Sequence, residues 1–277
     1  MQRILVPVDF SPYSINAFKT ALSLAEKTNS QITLLHVIHL PFHFFDKPHK
    51  NNFDEARQKA YKKLEKLVHQ VSSGNGAFSG IKINIYVLSG LASPSILQTI
   101  RKIDSDFLIM GRKGETEIKK LAVGSVAKDV VLHSKIPVMM VSESINYANL
   151  NHLLFTTAFD ARNLKSLNWA VDLASVFNAN VTALHISENG ENGYDQKNKN
   201  EFLTLLKENK KFKNLQLDSI KNDNTFDGIF NYIQQQPPSM IALARYKKSS
   251  FSTLNYKKQV QKLLEDSQIP VVVFAGN

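Results

Sequence analysis

Short apolar runs alternate with longer segments of helical periodicity along the chain, which is the pattern of an α/β fold with a mostly parallel sheet. In the first half, we predict strands at residues 3–8, 31–38, 81–88, 107–110 and 137–141 and helices at 12–28, 53–71, 95–102 and 124–133. Because these strands read as continuous apolar runs, we expect them to be buried on both faces. Ser11 followed by Pro12 is a helix start signal.

The second half of the chain repeats the first. A shift of 149 residues aligns residues 4–38 with 153–187 without a gap, and a shift of 133 aligns 134–138 with 267–271, so the second copy is 16 residues shorter in its middle. Its predicted strands are 152–157, 180–187, 214–219, 239–243 and 269–274. We therefore predict two domains, residues 1–146 and 150–277, joined by the polar segment 142–151.

Composition narrows the class of protein. The chain has 277 residues, 43% of them hydrophobic, which is enough for two cores. The absence of cysteine excludes disulfides, thiolate metal sites and cysteine nucleophiles. We expect neither a secretion signal, since Asp9 closes the first apolar run, nor a membrane-spanning helix. The net charge of +10 favours an anionic partner, either nucleic acid, a membrane surface or a phosphate-bearing small molecule.

A glycine motif follows the fourth strand of the first copy. Gly-Arg-Lys-Gly at 111–114 is followed, after nine residues, by Gly-Ser at 124–125. The connection is about twice the ordinary length, which is typical of a functional loop. Glycines allow backbone to approach a ligand closely, and the helix that begins at 124–125 presents free amides to an anion. Arg112 and Lys113 add positive charge, unless they are ordinary solvated loop residues.

This spacing resembles the signature of the ATP-binding branch of the universal stress protein family. The resemblance also includes Val-Pro-Val-Asp at 6–9, Leu-Leu-His-Val at 34–37, Ile-Met-Gly at 109–111 and Ile-Pro-Val at 136–138, and it extends over both halves. It implies two tandem Rossmann-like α/β domains, each with a five-stranded parallel sheet in the order 3-2-1-4-5 flanked by helices. The crevice would then lie between strands one and four, where ligands bind at the carboxyl ends.

The resemblance also implies a ligand site in the first domain. The ligand would be ATP, or AMP or ADP, with Mg2+ held through the phosphates and no metal ligand or catalytic residue from the chain. Adenine and ribose contacts are implied for Pro7, Val8, Asp9, Val37 and Met110, and phosphate contacts for Gly111, Arg112, Gly114, Gly124, Ser125 and Val126. Asp9 has an alternative role as a cap of the following turn.

The second copy lacks these residues. Asp9 aligns with Ala158 and Gly111 with Ala244, and lysines replace Gly114, Gly124 and Ser125, at Lys247, Lys257 and Lys258. We therefore predict that the second domain is degenerate and does not bind ATP in the family manner. Tyr246, Lys247, Lys248, Lys257 and Lys258 form either a basic patch or an ordinary solvated face.

Other chemistry is less strongly indicated. His36, His39 and His43 have spacings that suggest a metal site, but no carboxylate is placed to complete it, and we expect none. There is no Walker motif and no nucleophile elbow. Nucleic-acid binding is not favoured either, because neither half has a basic run with interleaved aromatic residues.

We therefore expect a cytoplasmic, ATP-binding universal stress protein that acts as a sensor or regulator in a stress response. The alternative is a slow ATP hydrolase that uses the same site. The family also implies an intramolecular pseudo-dimer in which the segment from Pro137 to Val141 pairs with that from Ile269 to Phe274. This arrangement would cover an edge strand, and a further homodimer is compatible with it.

Overall fold

The computed structural model describes residues 1–39, 50–72, 78, 80–114, 123–143, 150–159, 161–187, 193–207, 210–212, 215–244, 263 and 269–274. The chain divides into two compact units, Met1–Asn146 and Tyr147–Asn277. None of the helices in these described ranges has both the length and the apolarity to cross a membrane.

The first unit is a parallel sheet with helical crossovers. Its elements are β1 (Arg3–Pro7), α1 (Pro12–Thr28), β2 (Gln31–Ile38), α2 (Lys50–Ser72), β3 (Ile83–Ser89), α3 (Ala92–Lys102), β4 (Phe107–Gly111), α4 (Ser125–His133) and β5 (Val138–Val141). The strands are ordered β3-β2-β1-β4-β5, and every pair is parallel. The predicted α/β class and strand order are confirmed.

The second unit has the same order. Its elements are β6 (His152–Thr156), α5 (Leu164–Val176), β7 (Asn180–Ser187), α6 (Gly193–Lys207), β8 (Leu215–Lys221), α7 (Thr225–Gln235), β9 (Met240–Ala244) and β10 (Val271–Phe274). Short 3-10 turns occupy Ala161–Asn163 and Lys210–Phe212. The parallel order is β8-β7-β6-β9-β10, so the repeat found in the sequence is also a repeat of topology.

Burial differs between the inner and outer strands. All residues of β4 and β5 are buried, as the continuous apolar runs predict. The same expectation is wrong for β3, in which only Val87 is buried. The physical reason is position, because β3 lies at the outer end of the strand order and is flanked by a strand on one side only.

Helix starts follow capping chemistry. Ser11 caps α1, since its Oγ accepts a hydrogen bond from the Ser14 amide at 3.2 Å, as predicted. Two helices begin earlier than the sequence predicts: α2 begins at Lys50 rather than residue 53, and α3 begins at Ala92 rather than residue 95. In α3 this places Pro94 in the first turn, where its missing N–H removes no helical hydrogen bond.

Candidate functional site

A cavity of about 590 Å³ lies in the first unit, at the carboxyl ends of β1, β2 and β4. From β1 the sheet continues to β2 on one side and to β4 on the other, so the strand order reverses at this point. Open parallel sheets bind ligands at such a reversal. The volume falls within the roughly 300–1,000 Å³ of small-molecule and cofactor sites.

Most of the predicted site residues line this cavity. Ten of the eleven do so: Pro7, Val8, Asp9, Val37, Met110, Gly111, Gly114, Gly124, Ser125 and Val126. Arg112 is not among the lining residues, whereas its neighbour Lys113 is. The structure thus brings the strand ends and the glycine loop together around one space.

Asp9 makes the turn contacts of its alternative role and also faces the glycine loop. Its Oδ1 accepts hydrogen bonds from the Ser11 amide at 3.0 Å and from Ser11 Oγ at 2.6 Å, which fixes the turn into α1. Its Oδ2 faces Gly114, since a Cβ added to that glycine would lie 2.8 Å from this oxygen. The carboxylate is therefore oriented by the turn on one side and directed at the glycine loop on the other.

Two glycines of the motif are required for different reasons. A Cβ at Gly111 would lie 2.7 Å from Tyr13 Cβ, 2.9 Å from the Tyr13 carbonyl carbon and 3.0 Å from the Ser14 nitrogen. Gly111 therefore packs tightly against the start of α1 and also lines the cavity, and this packing is a reason for glycine that the sequence alone does not give. At Gly114 the only close atom from the described residues is the end of the Asp9 side chain, so this glycine keeps the loop backbone open beside a carboxylate.

Backbone hydrogen bonds close the base of the glycine loop. The Arg112 amide donates to the Val141 carbonyl at 2.9 Å, and the Gly124 amide donates to the Arg112 carbonyl at 2.9 Å. Gly124 is the N-cap of α4 and offers no side-chain cap, and the first helical bond runs from Lys128 N to Gly124 O at 2.9 Å. The amides of the next three residues, 125–127, precede that bond and belong to residues that line the cavity. The positive end of the α4 dipole therefore faces the cavity.

The two basic residues of the motif lie in different environments. Burial lowers the pKa of the Arg112 guanidinium, and electrostatic attraction from Tyr13 and Glu143 acts in the opposite direction. Burial and the Glu143 charge in turn raise the pKa of the Tyr13 hydroxyl, and Arg112 partly offsets this. Arg112 thus interacts with Tyr13 and Glu143, while Lys113, with Nζ 5.9 Å from the Tyr13 ring, supplies the basic side chain on the cavity wall.

The remaining wall was missed by sequence reasoning. Among the described residues it includes Ser14, Leu35, His39, Gly90, Leu91, Ala92, Ile96 and Ala127. Leu35 could have been found, because it is two residues before Val37 on one strand and alternate residues share a face. The residues from 90 to 96 carry no motif, and only the crossover from β3 into α3 brings them to the cavity.

The histidines of the second strands are structural in both units. His36 Nδ1 is 2.7 Å from the Val8 carbonyl oxygen, and His185 Nδ1 is 3.0 Å from that of Thr157. Each ring packs on a phenylalanine with positive φ, Phe10 for His36 and Phe159 for His185. Because both copies share this arrangement, it belongs to the architecture. His43, the third residue of the suggested metal spacing, lies outside the described residues.

The second unit differs at the aligned positions that the structure describes. Ala158 stands where Asp9 does, and β9 ends on Ala244 where β4 ends on Gly111. The chain that aligns with the start of α1 forms the 3-10 turn Ala161–Asn163. Both the carboxylate and the tight glycine contact with the helix start are therefore replaced. Residues 245–262, with Tyr246 and the four lysines that include Lys247 and Lys257, lie outside the described part.

Comparison with known proteins identifies the family of the chain. The model of the universal stress protein family matches residues 1–142. The universal stress protein MJ0531 of Methanocaldococcus jannaschii is 26% identical over 149 residues, which are 51% of this chain and 82% of that protein. YxiE of Bacillus subtilis is 24% identical over 153 residues, covering 50% of this chain and 97% of YxiE.

Among solved structures, a universal stress protein from Archaeoglobus fulgidus superposes with a TM-score of 0.73 at 21% identity. The match covers 98% of this chain and 95% of that one, so the two chains share a fold over their whole length. Since the family model covers just over half of the residues and the predicted topology is present, the chain belongs to the universal stress protein family.

Proposed function

We propose that the first unit binds ATP, or another adenine nucleotide, and that the protein acts through this site as a stress-response sensor or regulator in the cytoplasm. The observation that carries the proposal is the cavity at the strand-order reversal, with Asp9 on one wall and the start of α4 on another. An adenine nucleotide presents a base with apolar faces, ribose hydroxyl groups and phosphates, and the cavity walls offer groups that suit each of these parts.

The cavity walls divide by chemistry. Val37, Met110 and Val8 offer apolar surface for a ring. The Asp9 carboxylate can accept hydrogen bonds from ribose hydroxyls. Residues 125–127 at the start of α4, together with Lys113, suit phosphate, since helix N-termini and lysine both attract anions.

Mg2+ would be held mainly through the phosphates. Magnesium keeps several waters and typically takes one or two carboxylates together with substrate phosphates. Asp9 is the one carboxylate on the described cavity wall and is assigned to the ribose, so the metal would depend on the phosphates of the nucleotide. The metal would neutralise phosphate charge that Lys113 alone does not balance.

The second unit is proposed to be degenerate. Replacement of Asp9 by Ala158 removes the carboxylate, and replacement of Gly111 by Ala244 changes the contact with the helix start. Residues 147–277 would therefore not bind ATP in this manner. The pairing of the segment from Pro137 to Val141 with that from Ile269 to Phe274, in a pseudo-dimer, is part of the same proposal.

Thermal shift with matched glycine variants tests the nucleotide site. MgATP at about 100 times its dissociation constant should stabilise the wild-type unit by about 2.7 kcal/mol. Gly114→Val should abolish this shift, because its side chain would meet Asp9 Oδ2. Gly80→Val is the control, since a Cβ at Gly80 meets no atom of the described residues within 4 Å.

Two outcomes would contradict the proposal. One is the absence of any response to adenine nucleotides in the wild-type chain and in residues 1–146, and the other is an unchanged response in Gly114→Val. Binding by isolated residues 147–277 would contradict the degeneracy of the second unit. Phosphate release during incubation with MgATP distinguishes the slow-hydrolase alternative, which requires turnover above buffer.

A further inference from the structure

Leu91 occupies an unusual position for a large apolar side chain. It is 64% exposed, and only Tyr61, at 43%, shares this property among the large hydrophobic residues that the structure describes. Single exposed hydrophobic residues are common on protein surfaces. Leu91 differs from Tyr61 in that it is one of the residues that line the cavity.

The backbone around Leu91 is held at both ends. Gly90 has φ of +139°, a conformation that residues with a side chain rarely adopt, and its amide donates to the Ile38 carbonyl at 3.0 Å. The Leu91 carbonyl accepts from the Ser95 amide at 3.1 Å as α3 begins. Leu91 is thus placed between the end of β2 and the first turn of α3.

Leu91 belongs to a mostly apolar end of the cavity, to which His39 adds one polar side chain. Leu35 and Val37 line it from β2, and Ala92 and Ile96 line it from α3. Lys113 and the start of α4 follow β4, on the other side of β1. Adjacent strands lie about 4.8 Å apart, so β2 and β4 are separated by about 10 Å. One end of the cavity therefore suits a ring and the other suits phosphate.

We propose that Leu91 covers the ring of the bound nucleotide and contributes to the affinity for the base and not for the phosphates. This inference rests on the proposed nucleotide site. Ligand binding would remove the exposed leucine surface from water, which is favourable and lowers the heat capacity of the complex. The contribution of Leu91 is therefore the same for every ligand with the same base, whatever its number of phosphates.

Isothermal titration calorimetry of the full chain with adenosine, AMP and MgATP tests this. Leu91→Ala should weaken all three by the same factor of about 4 to 15, the loss expected when one or two methylene groups are no longer buried. It should also make the heat-capacity change of binding less negative. Leu91→Met should restore affinity to within about 2-fold. Tyr61→Ala is the matched control, since Tyr61 is exposed but does not line the cavity.

Lys113→Ala gives the opposite pattern if the two ends are distinct. It should weaken MgATP most, AMP less and adenosine not at all, with the difference shrinking at high salt. If Leu91→Ala binds all three ligands within 2-fold of wild type, or if Leu91→Met does not restore affinity, the role of Leu91 is overturned while the nucleotide site stands. If the wild type binds none of the three, the proposed function itself fails.

Discussion

Replacing Gly111 by alanine should destabilise the first unit whether or not a ligand is present. The added Cβ would lie 2.7 Å from Tyr13 Cβ, 2.9 Å from the Tyr13 carbonyl carbon and 3.0 Å from the Ser14 nitrogen. The last two atoms are backbone atoms of α1, so rotation of a side chain does not relieve the contact. Either β4 or the start of α1 must move.

The expected cost follows from these distances. Carbon atoms pack at about 3.5–4.0 Å, so the shortest contact is about 0.8 Å too close. Every residue of β4 is buried, which leaves little room for the strand to shift. Overpacking of this kind typically costs about 1–3 kcal/mol. Alanine also reduces the entropy of the unfolded chain, which offsets about 0.4–1 kcal/mol of the loss.

Gly80→Ala isolates the contact from the unfolded-state effect. Both variants change glycine to alanine, but in the part of the chain that the structure describes a Cβ at Gly80 meets nothing within 4 Å. Urea unfolding followed by circular dichroism should place the midpoint of Gly111→Ala roughly 1 M below that of Gly80→Ala, for an m-value of about 2 kcal/mol/M. Trp169, the single tryptophan, lies on α5, so its fluorescence follows the second unit during the same titration.

The packing explanation would be wrong if the two variants unfolded within about 0.5 kcal/mol of each other without ligand. Gly111 would then be required for ligand approach, as the sequence alone suggests. A destabilised Gly111→Ala whose MgATP response persists on the folded fraction would instead separate the two roles of the motif.

Two further changes test local interactions. Tyr232 donates to Asp218 Oδ2 at 2.6 Å, and burial together with this hydrogen bond raises its pKa to about 12. Its stabilising contribution should be complete below about pH 10, the unfolded value, and lost as pH rises towards 12. The unfolding free energy of wild type minus Tyr232→Phe should fall across this range, and a flat difference would contradict the reasoning. Ser11→Ala removes the α1 cap and one partner of Asp9, so urea unfolding should show a loss of about 1 kcal/mol. Equal stability of Ser11→Ala and the wild type would mean that another group caps α1 in the variant.

Local patterns were sufficient for most elements of the fold. The bounds predicted for β2, α1 and β7 match the structure, because a strand of apolar residues and a capped amphipathic helix are defined by neighbouring residues. The errors lie where residues adjacent in sequence do not determine the structure. Exposure of β3 depends on its place in the strand order, and the start of α3 depends on a proline that is harmless in a first turn.

The cavity walls show the same division between features that the local sequence predicts and features that it does not. The spacing of the glycine motif and the resemblance it carries lead to ten residues that line one cavity, because strand ends and helix starts follow the chain closely. The motif alone does not show that Lys113 lines the cavity and that Arg112 does not. This difference arises in the folded loop, where the Arg112 amide donates to the Val141 carbonyl and the Gly124 amide donates to the Arg112 carbonyl.

By itself, the sequence determined that the protein has two α/β copies, that one copy retains a glycine motif and that the other has lost it. These properties depend on residue type and spacing, which are read along the chain. Only the tertiary structure decided that Gly111 packs against α1, that Asp9 faces Gly114 and that Leu91 stands at the apolar end of the cavity. Those contacts join segments that are distant in sequence, and their geometry arises when the sheet and its crossover helices are assembled.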